Sequence, residues 1–502
     1  MKLNFSTYRD KVYACWIGKN IGGTMGTPYE GSREMNDIKG FVTKKNEILP
    51  NDDLDLQLVW LVATERLGLN RIDSKILGEF WTSYIGPHWN EYGISKVNMA
   101  AGILPPLSGD AYNDWNNSNG AWIRTEVWAS LAPACPDVAM RYAYEDACVD
   151  HGTREGTVAA MFVAALESAA FVVSDLRRLI SLALTKIPAD SRMAKSVVKV
   201  LECYDSGMDY RDARNVIQKL NADIGNGWFE APSNVSYAII GLLWGEGDFK
   251  KSMIYAINCG DDTDCTGATV GSILGIMNGT AGIPEDWRAH IGDGIVTVSI
   301  KKGSTFPPAF PETCTELTER VVRIAPTVPV LFNKKIEFTD GETQVSDNDI
   351  EEMFAPAKRK YKDSDYVSPE NENLVDEVNA RRPYSVTVDS AFLTATVSYD
   401  SDPDIRPLES KRIHMRIKNN VYDYGNMPYN LKLRWLGADG FTVDGPGFAR
   451  LLHSNPHSVG ITELDFTVTA PESIEPKTRL VIEIEADGRP TVAYIPVVLF
   501  KK

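Results

Sequence analysis

Basic residues are in short supply. The chain has 52 Lys and Arg against 68 Asp and Glu, a formal net charge of −16. Nucleic acid and anionic membrane surfaces are bound by clustered Lys and Arg, so neither is expected as a main partner, and an anionic substrate has to be held locally. Cysteine is sparse too. Cys15, Cys135, Cys148, Cys203, Cys259, Cys265 and Cys314 form an odd set with no CxxC pair, which speaks against a disulfide framework and for a reducing compartment. The N-terminus lacks the apolar core of a signal peptide, and no span of about 20 uncharged apolar residues follows. A soluble, cytoplasmic protein is the expectation. Internal repeats and heptads are missing, and strand-like alternation is nearly absent from the first 320 or so residues.

What is present in that first part is helical. At 502 residues the chain is long enough for two or three domains. In residues 261–266 three carboxylates (Asp261, Asp262, Asp264), a thiol and two hydroxyls (Thr263, Thr266) crowd the start of a predicted helix. Gly267, Gly271 and Gly275 recur every four residues beside Val270, Ile273, Leu274 and Met277, the pattern of a helix pressed closely against its neighbours. Capping and the helix dipole account for one or two of the acids. The full set calls for a cation, and hard oxygen donors favour Mg²⁺, Mn²⁺ or Ca²⁺.

A second acidic start lies about 210 residues earlier. There Asn51 is placed to cap a helix, with Asp52 and Asp53 in its first turn and an apolar run beyond. Two such starts before two unusually apolar helices point to convergence on one metal cluster. The opening segment carries its own glycine ridge (Gly18, Gly22, Gly26) and stops at Pro28, leaving Glu30 on the following loop. The pattern alone leaves Glu30 as either a solvated loop residue or a catalytic base. Residues 113–125 form an Asn- and Gly-rich loop, either an ordinary turn or a cradle for a polar ligand. His151 precedes an Ala-rich core helix over 157–173, where its role is structural or functional.

After Pro326 the texture changes. Segments 328–338, 384–398, 412–419, 430–436, 461–469 and 479–486 alternate or cluster β-branched and apolar residues between Gly, Pro and Asp turns, which predicts a β-sandwich. The domains are therefore 1–325, all-α, and 326–502, a β-sandwich accessory domain. The latter carries a charged surface excursion over 346–382. His453 and His457, four apart but followed or flanked by Pro, do not make a helical metal pair.

From about residue 8 to 287 the chain resembles the ADP-ribosylglycohydrolase family, of the dinitrogenase-reductase-activating glycohydrolase type. The motifs that carry the resemblance follow the family's order. They are the glycine-rich helix ending at Glu30, Asn51-Asp52-Asp53, Asn119-Gly120-Ala121-Trp122-Ile123-Arg124, His151, Gly225 to Pro232, Gly260 to Cys265, and Pro284-Glu285-Asp286-Trp287. The resemblance implies an all-α catalytic domain with two Mg²⁺-type ions. Asp52, Asp53, Asp262 and Asp264 would be ligands, with Asn51 and Cys265 at two further ligand positions. Glu30 and Asp53 would be the catalytic residues, and Asn119, Gly120 and His151 would line the cleft. The activity implied is hydrolysis of an N- or O-glycosidic bond of an ADP-ribosyl or related ribofuranosyl substrate, a small molecule or an ADP-ribosylated partner.

Several positions depart from the family pattern. Asn51 stands where Thr is usual, Gly23 where an Asp is usual, Leu54 replaces a hydroxyl residue, and Cys265 replaces a Thr ligand, with Thr266 one residue on as an alternative donor. Asp55 and Asp261 are additional acids. These departures leave a different furanoside as an alternative substrate. A non-catalytic ADP-ribose or sugar sensor is a second alternative, which the presence of Glu30 argues against. The β-domain is a candidate for pairing subunits into a homo-oligomer.

Overall fold

Two glycine ridges set the centre of the helical unit. The Phe5–Gly26 helix is capped by the Asn4 side chain, which accepts from the Thr7 amide, and lies antiparallel to the Thr263–Asn278 helix. A Cβ on Gly18 would come within 2.1 Å of the Gly271 carbonyl oxygen, one on Gly22 within 2.1 Å of Gly267, and one on Gly26 within 2.2 Å of the Thr263 carbonyl oxygen. The backbones touch, so no side chain fits between them. The register has a direct consequence for the site. The end of the first helix meets the beginning of the second, Thr263 Oγ1 donates to the Gly26 carbonyl at 2.8 Å, and Glu30 is delivered beside Asp262 and Asp264.

The structure is a computed structural model that describes residues 1–301, 309–355, 382–421, 428–454 and 460–502. Its contacts divide into two units. Unit 1 comprises Met1–Lys96 and Asn113–Phe354, and unit 2 comprises Val97–Tyr112 and Ala355–Lys502. Unit 1 is helical, with Trp16, Trp60, Trp81, Trp122 and Trp128 among its largest fully buried side chains. Among its described residues one small sheet pairs β1 (Lys2–Asn4) in parallel with β2 (Glu337–Thr339). No described helix is long and apolar enough to cross a membrane.

Unit 2 holds β3 (Ser385–Asp389), β4 (Leu393–Tyr399), β5 (Asp404–Ile405), β6 (Ser410–Asn419), β7 (Tyr429–Leu436), β8 (Thr442–Asp444), β9 (Phe448–Leu451), β10 (Ile461–Thr469), β11 (Lys477–Ala486) and β12 (Ala493–Lys501). They form two five-stranded sheets, ordered β3-β4-β6-β10-β8 and β5-β12-β11-β7-β9. Alternate residues such as Ile413, Met415 and Ile417 of one sheet and Leu480, Ile482 and Ile484 of the other enter a single apolar core, which makes the arrangement a sandwich. That core also takes Ile103, Leu107 and Ala111. The segment 97–112 is fastened within the unit by Tyr112 Oη donating to Asp404 at 2.6 Å and by the Tyr384 amide donating to Asp110 at 3.1 Å.

Two expectations need correction, and one strand was not expected. The 328–338 segment is mostly not a strand. Val328–Leu331 is a helical turn with a proline in its first turn, whose fixed φ suits a helix start, and strand begins only at Glu337. Strand β12 runs through Pro496, a residue that breaks the usual strand signal. Asp52 and Asp53 are not in a first helical turn, since the helix starts at Asp55 with Leu54 before it and no side-chain cap from Asn51. The start of the predicted excursion is the Asp347–Phe354 helix, while 356–381 and His457 lie outside the described residues.

Candidate metal centre

With the helix beginning at Asp55, Asp52 and Asp53 belong to the turn that leads into it, where the Asp52 carbonyl accepts from the Asp55 amide at 3.1 Å. Opposite them Asp262 occupies the N-cap of the glycine helix and Asp264 its first turn. Two groups of donors result, each with one ligand atom per residue lying within 4.8 Å of the others: Asp53, Asp264 and Cys265, and Glu30, Asp262 and Asp264. Asp264 belongs to both. Asp52 stands outside these groups, but its charge reaches Glu30 and Asp53. Asn51 is seated against Gly23, where a Cβ would lie 2.2 Å from its Nδ2, so the absence of a side chain at Gly23 makes room for Asn51.

The carboxylates are buried with several of their oxygens unused. Asp53 is 1% exposed and Asp264 3%. Neither oxygen of Asp53 has a hydrogen-bond partner, and Oδ1 of Asp262 and Oδ1 of Asp264 are likewise unpaired. Unpaired buried carboxylate oxygens cost several kcal/mol on the order expected for desolvated polar groups, and a divalent cation is the species that satisfies several at once. The donor set therefore fits a cation.

Without a cation the crowding raises proton affinities. Burial, followed by the charges of Asp262 and Asp52, pushes Glu30 to about 7, although the residue as a whole remains exposed. Burial followed by the Asp262 charge lifts Asp264 well above the ordinary range, and burial does the same for Asp53, partly opposed by Lys19. Cys265 is pushed up by burial and then by Asp262 and Asp53. An acid whose folded pKa exceeds its unfolded value binds more protons when folded, so its contribution to stability is full below the unfolded pKa and is lost as pH rises through the folded one. The cation-free protein is accordingly expected to lose melting temperature as pH rises from about 4 to about 7. Divalent cation should restore it at the upper end. A pH-independent melting temperature in EDTA, unchanged by cation, would remove this account.

Behind Asp53 lies a charge that sequence reading passed over. Lys19, on the Phe5–Gly26 helix and 1% exposed, places Nζ 2.6 Å from Glu126 and 3.8 Å from Asp53. Burial alone would lower its pKa, but Glu126 and Asp53 outweigh that and hold it charged. Gln57 donates to Glu126 and to the Asp53 carbonyl, both at 2.9 Å, and Glu167 accepts from Thr125 at 2.8 Å. The available signal was a lysine between apolar Trp16, Ile17 and Ile21 on a helix too glycine-rich to be exposed.

The additional acids are structural anchors. Asp55 accepts from the Val298 amide at 2.7 Å and from the Ser299 amide. Asp261, at φ +67°, pairs its backbone with Gly31 and Ser32 and accepts from Asn234 at 3.1 Å and from the Phe229 amide. Asn119 joins the centre directly, donating from Nδ2 to Asp262 at 2.6 Å while its Oδ1 accepts from the Trp122 indole at 2.9 Å. Gly120 and His151 adjoin one another in a neighbouring buried group. A Cβ at Gly120 would lie 2.3 Å from Glu91 and 3.3 Å from the His151 ring. His151 Nε2 is 3.1 Å from Ser118 Oγ, and its Nδ1 sits 2.9 Å from Asp150, an ion-pair separation without hydrogen-bond alignment. Arg124 pairs with Asp150 and Asp146, at 2.7 and 2.9 Å.

A family model described as ADP-ribosylglycohydrolase matches residues 4–322, a stretch that contains every donor named above. Among solved structures, an "ADP-ribosylglycohydrolase-related protein complex" is 19% identical, with a TM-score of 0.44, covering 64% of this chain and 99% of that one. Two small structures each cover 23% of this chain. A FixG-related protein from Vibrio parahaemolyticus is 12% identical over 99% of its length, with a TM-score of 0.18, and the GAE domain of GGA2p from Saccharomyces cerevisiae is 14% identical over 96%, with a TM-score of 0.15. No curated protein matches. The family match spans more than half of the chain and includes both acidic clusters, and the chain belongs to the ADP-ribosylglycohydrolase family, a family of glycohydrolases that generally depend on divalent metal.

Proposed function

We propose that this protein hydrolyses an N- or O-glycosidic bond of an ADP-ribosyl or related ribofuranosyl substrate with two divalent cations of the Mg²⁺ or Mn²⁺ type. The observation that carries the reading is the set of unpaired buried oxygens on Asp53, Asp262 and Asp264 converging beside the carboxyl of Glu30. Asp52, Asp53, Asp262 and Asp264 would hold the cations. When bound, such ions supply Lewis-acid stabilisation of charge developing at the sugar oxygens and leaving group. Asn119 fixes the Asp262 carboxylate through its Nδ2 hydrogen bond, which keeps one ligand oriented. Glu30 takes the proton of the attacking water or gives one to the departing group. Trp228, stacked on Phe229 at 4.4 Å with Arg33 over its face, lies 3.9 Å from a Cβ position at Gly31 and offers a flat wall beside Glu30.

The substrate is a free small molecule or an ADP-ribosylated protein, and the buried thiols of Cys15, Cys135, Cys203, Cys259, Cys265 and Cys314 support a reducing compartment. The deciding experiment is turnover of ADP-ribosyl-Arg, ADP-ribosyl-Ser, O-acetyl-ADP-ribose and simple furanosides, each with Mg²⁺ and with EDTA. Hydrolysis of an ADP-ribosyl compound only in the presence of cation is the expected result. Cleavage confined to simple furanosides moves the assignment to another glycoside, and binding of ADP-ribose without turnover of any compound makes the protein a sensor. Glu30→Gln is expected to lower kcat by roughly 10²- to 10⁴-fold with cation affinity retained. A near-wild-type rate would return Glu30 to the role of a solvated loop residue.

A further inference from the structure

One donor in this centre is soft. Cys265 Sγ lies within 4.8 Å of oxygens of Asp53 and Asp264, and all three residues are buried. Both oxygens of Asp53 and Oδ1 of Asp264 accept no hydrogen bond although both residues are more than nine-tenths buried, and they independently mark the same place as a ligand site. The neighbouring hydroxyl does not replace the sulfur. Thr266 Oγ1 donates back to the Thr263 carbonyl at 3.2 Å within its own helix, and the next residue along a helix points about 100° away around the axis.

The second donor group has a different character, because Glu30, Asp262 and Asp264 offer oxygen alone. Hard oxygen donors suit Mg²⁺ and Mn²⁺, while thiolate favours Zn²⁺, Co²⁺ and Fe²⁺, which also bind more tightly in general at mixed donor sites. Two carboxylates and one thiolate supply three ligands, the number that catalytic zinc sites take from the protein.

We propose that the centre is divided by donor chemistry: the Asp53–Asp264–Cys265 half takes a thiophilic divalent transition metal with Cys265 as a thiolate ligand, and the Glu30–Asp262–Asp264 half takes a hard cation such as Mg²⁺. On binding, the metal–sulfur bond replaces the S–H bond and the proton leaves to solvent, with no change of oxidation state. This inference rests on the reading of the site as a metal centre and assigns its two halves.

The test is spectroscopic and uses the full chain stripped of metal. Co²⁺ titration, followed by absorbance and by calorimetry, is expected to give a thiolate-to-cobalt charge-transfer band that saturates at one equivalent. Zn²⁺ should compete it away and millimolar Mg²⁺ should not. Cys265→Ser and Cys265→Thr should each lose the band and weaken Zn²⁺ by roughly tenfold or more, leaving Mg²⁺ affinity unchanged or improved. Using both variants guards against a folding defect in one, and their melting curves report on it directly. Co²⁺ binding by calorimetry without the band, or a band that survives in both variants, overturns the role of Cys265 while the metal-centre reading stands. Failure of every cation to bind the wild-type protein overturns the metal centre itself.

Discussion

Asp264→Asn is expected to abolish turnover, by on the order of 10³-fold or more given the size of losing one preorganised electrostatic element, and to weaken cation binding at both halves of the centre together. Asp264 is the residue shared by the two donor groups, so its loss cannot be absorbed by one of them. Stability should move the other way. In the cation-free protein Asp264 faces the charges of Asp262, Glu30 and Asp53, and a neutral amide of nearly the same shape relieves that repulsion. The variant should therefore melt at or above the temperature of the cation-free parent, and cation should no longer raise it. Asp55→Asn is the informative contrast. Asp55 sits in the same acidic run, yet its carboxylate is spent on the Val298 and Ser299 amides. Its replacement should lower melting temperature through those lost bonds and leave cation affinity near the parent's. Equal loss of cation affinity in both variants would mean that general negative charge, and not the specific donor group, holds the metal.

Much of this centre is legible in the sequence because local rules and tertiary placement agree there. The glycine spacing in the two helices predicts close contact, and the structure locks Gly18 on Gly271 and Gly22 on Gly267. That register brings Glu30 to Asp262 and Asp264. What sequence reading cannot supply is direction. Asp52, Asp53 and Asp55 look alike in a run of acids, and only the backbone turn before Asp55 separates Asp53, which joins a donor group, from Asp55, which ties down residues 298 and 299. The same holds for Lys19. Its role depends on Glu126, more than a hundred residues away, and helical periodicity records only that the position is interior. In the strand region alternation marks most of the sheets, but Pro329 hides a helical turn inside an apolar run and Pro496 hides a strand.

The segment 97–112 carries no sign in the sequence of where it packs, and it decides what a truncation should do. A chain cut after residue 325 is expected to be poorly soluble and to melt far below the full-length protein, even though every proposed metal ligand precedes the cut. Ile103, Leu107 and Ala111 are at most 1% exposed in the core that they share with β-strand residues such as Val386, Leu393 and Leu480. Removing those strands returns two large aliphatic side chains to water, at roughly 1.5–3 kcal/mol each, and opens an apolar surface suited to aggregation. The cut also strips unit 1 of its own parts. It removes β2, which pairs with β1 from Lys2 to Asn4, and the Asp347–Phe354 helix, whose Phe354 carbonyl accepts from the buried Lys186 at 2.9 Å. A chain ending at residue 355 restores these last contacts and not the first, so it should recover melting temperature without recovering solubility. Sedimentation and thermal melting of both truncations, with and without Mg²⁺, separate the contributions. A soluble 1–325 chain that melts cooperatively and is stabilised by Mg²⁺ would show instead that the helical domain stands alone from the boundary at Pro326, and that the packing of 97–112 is dispensable.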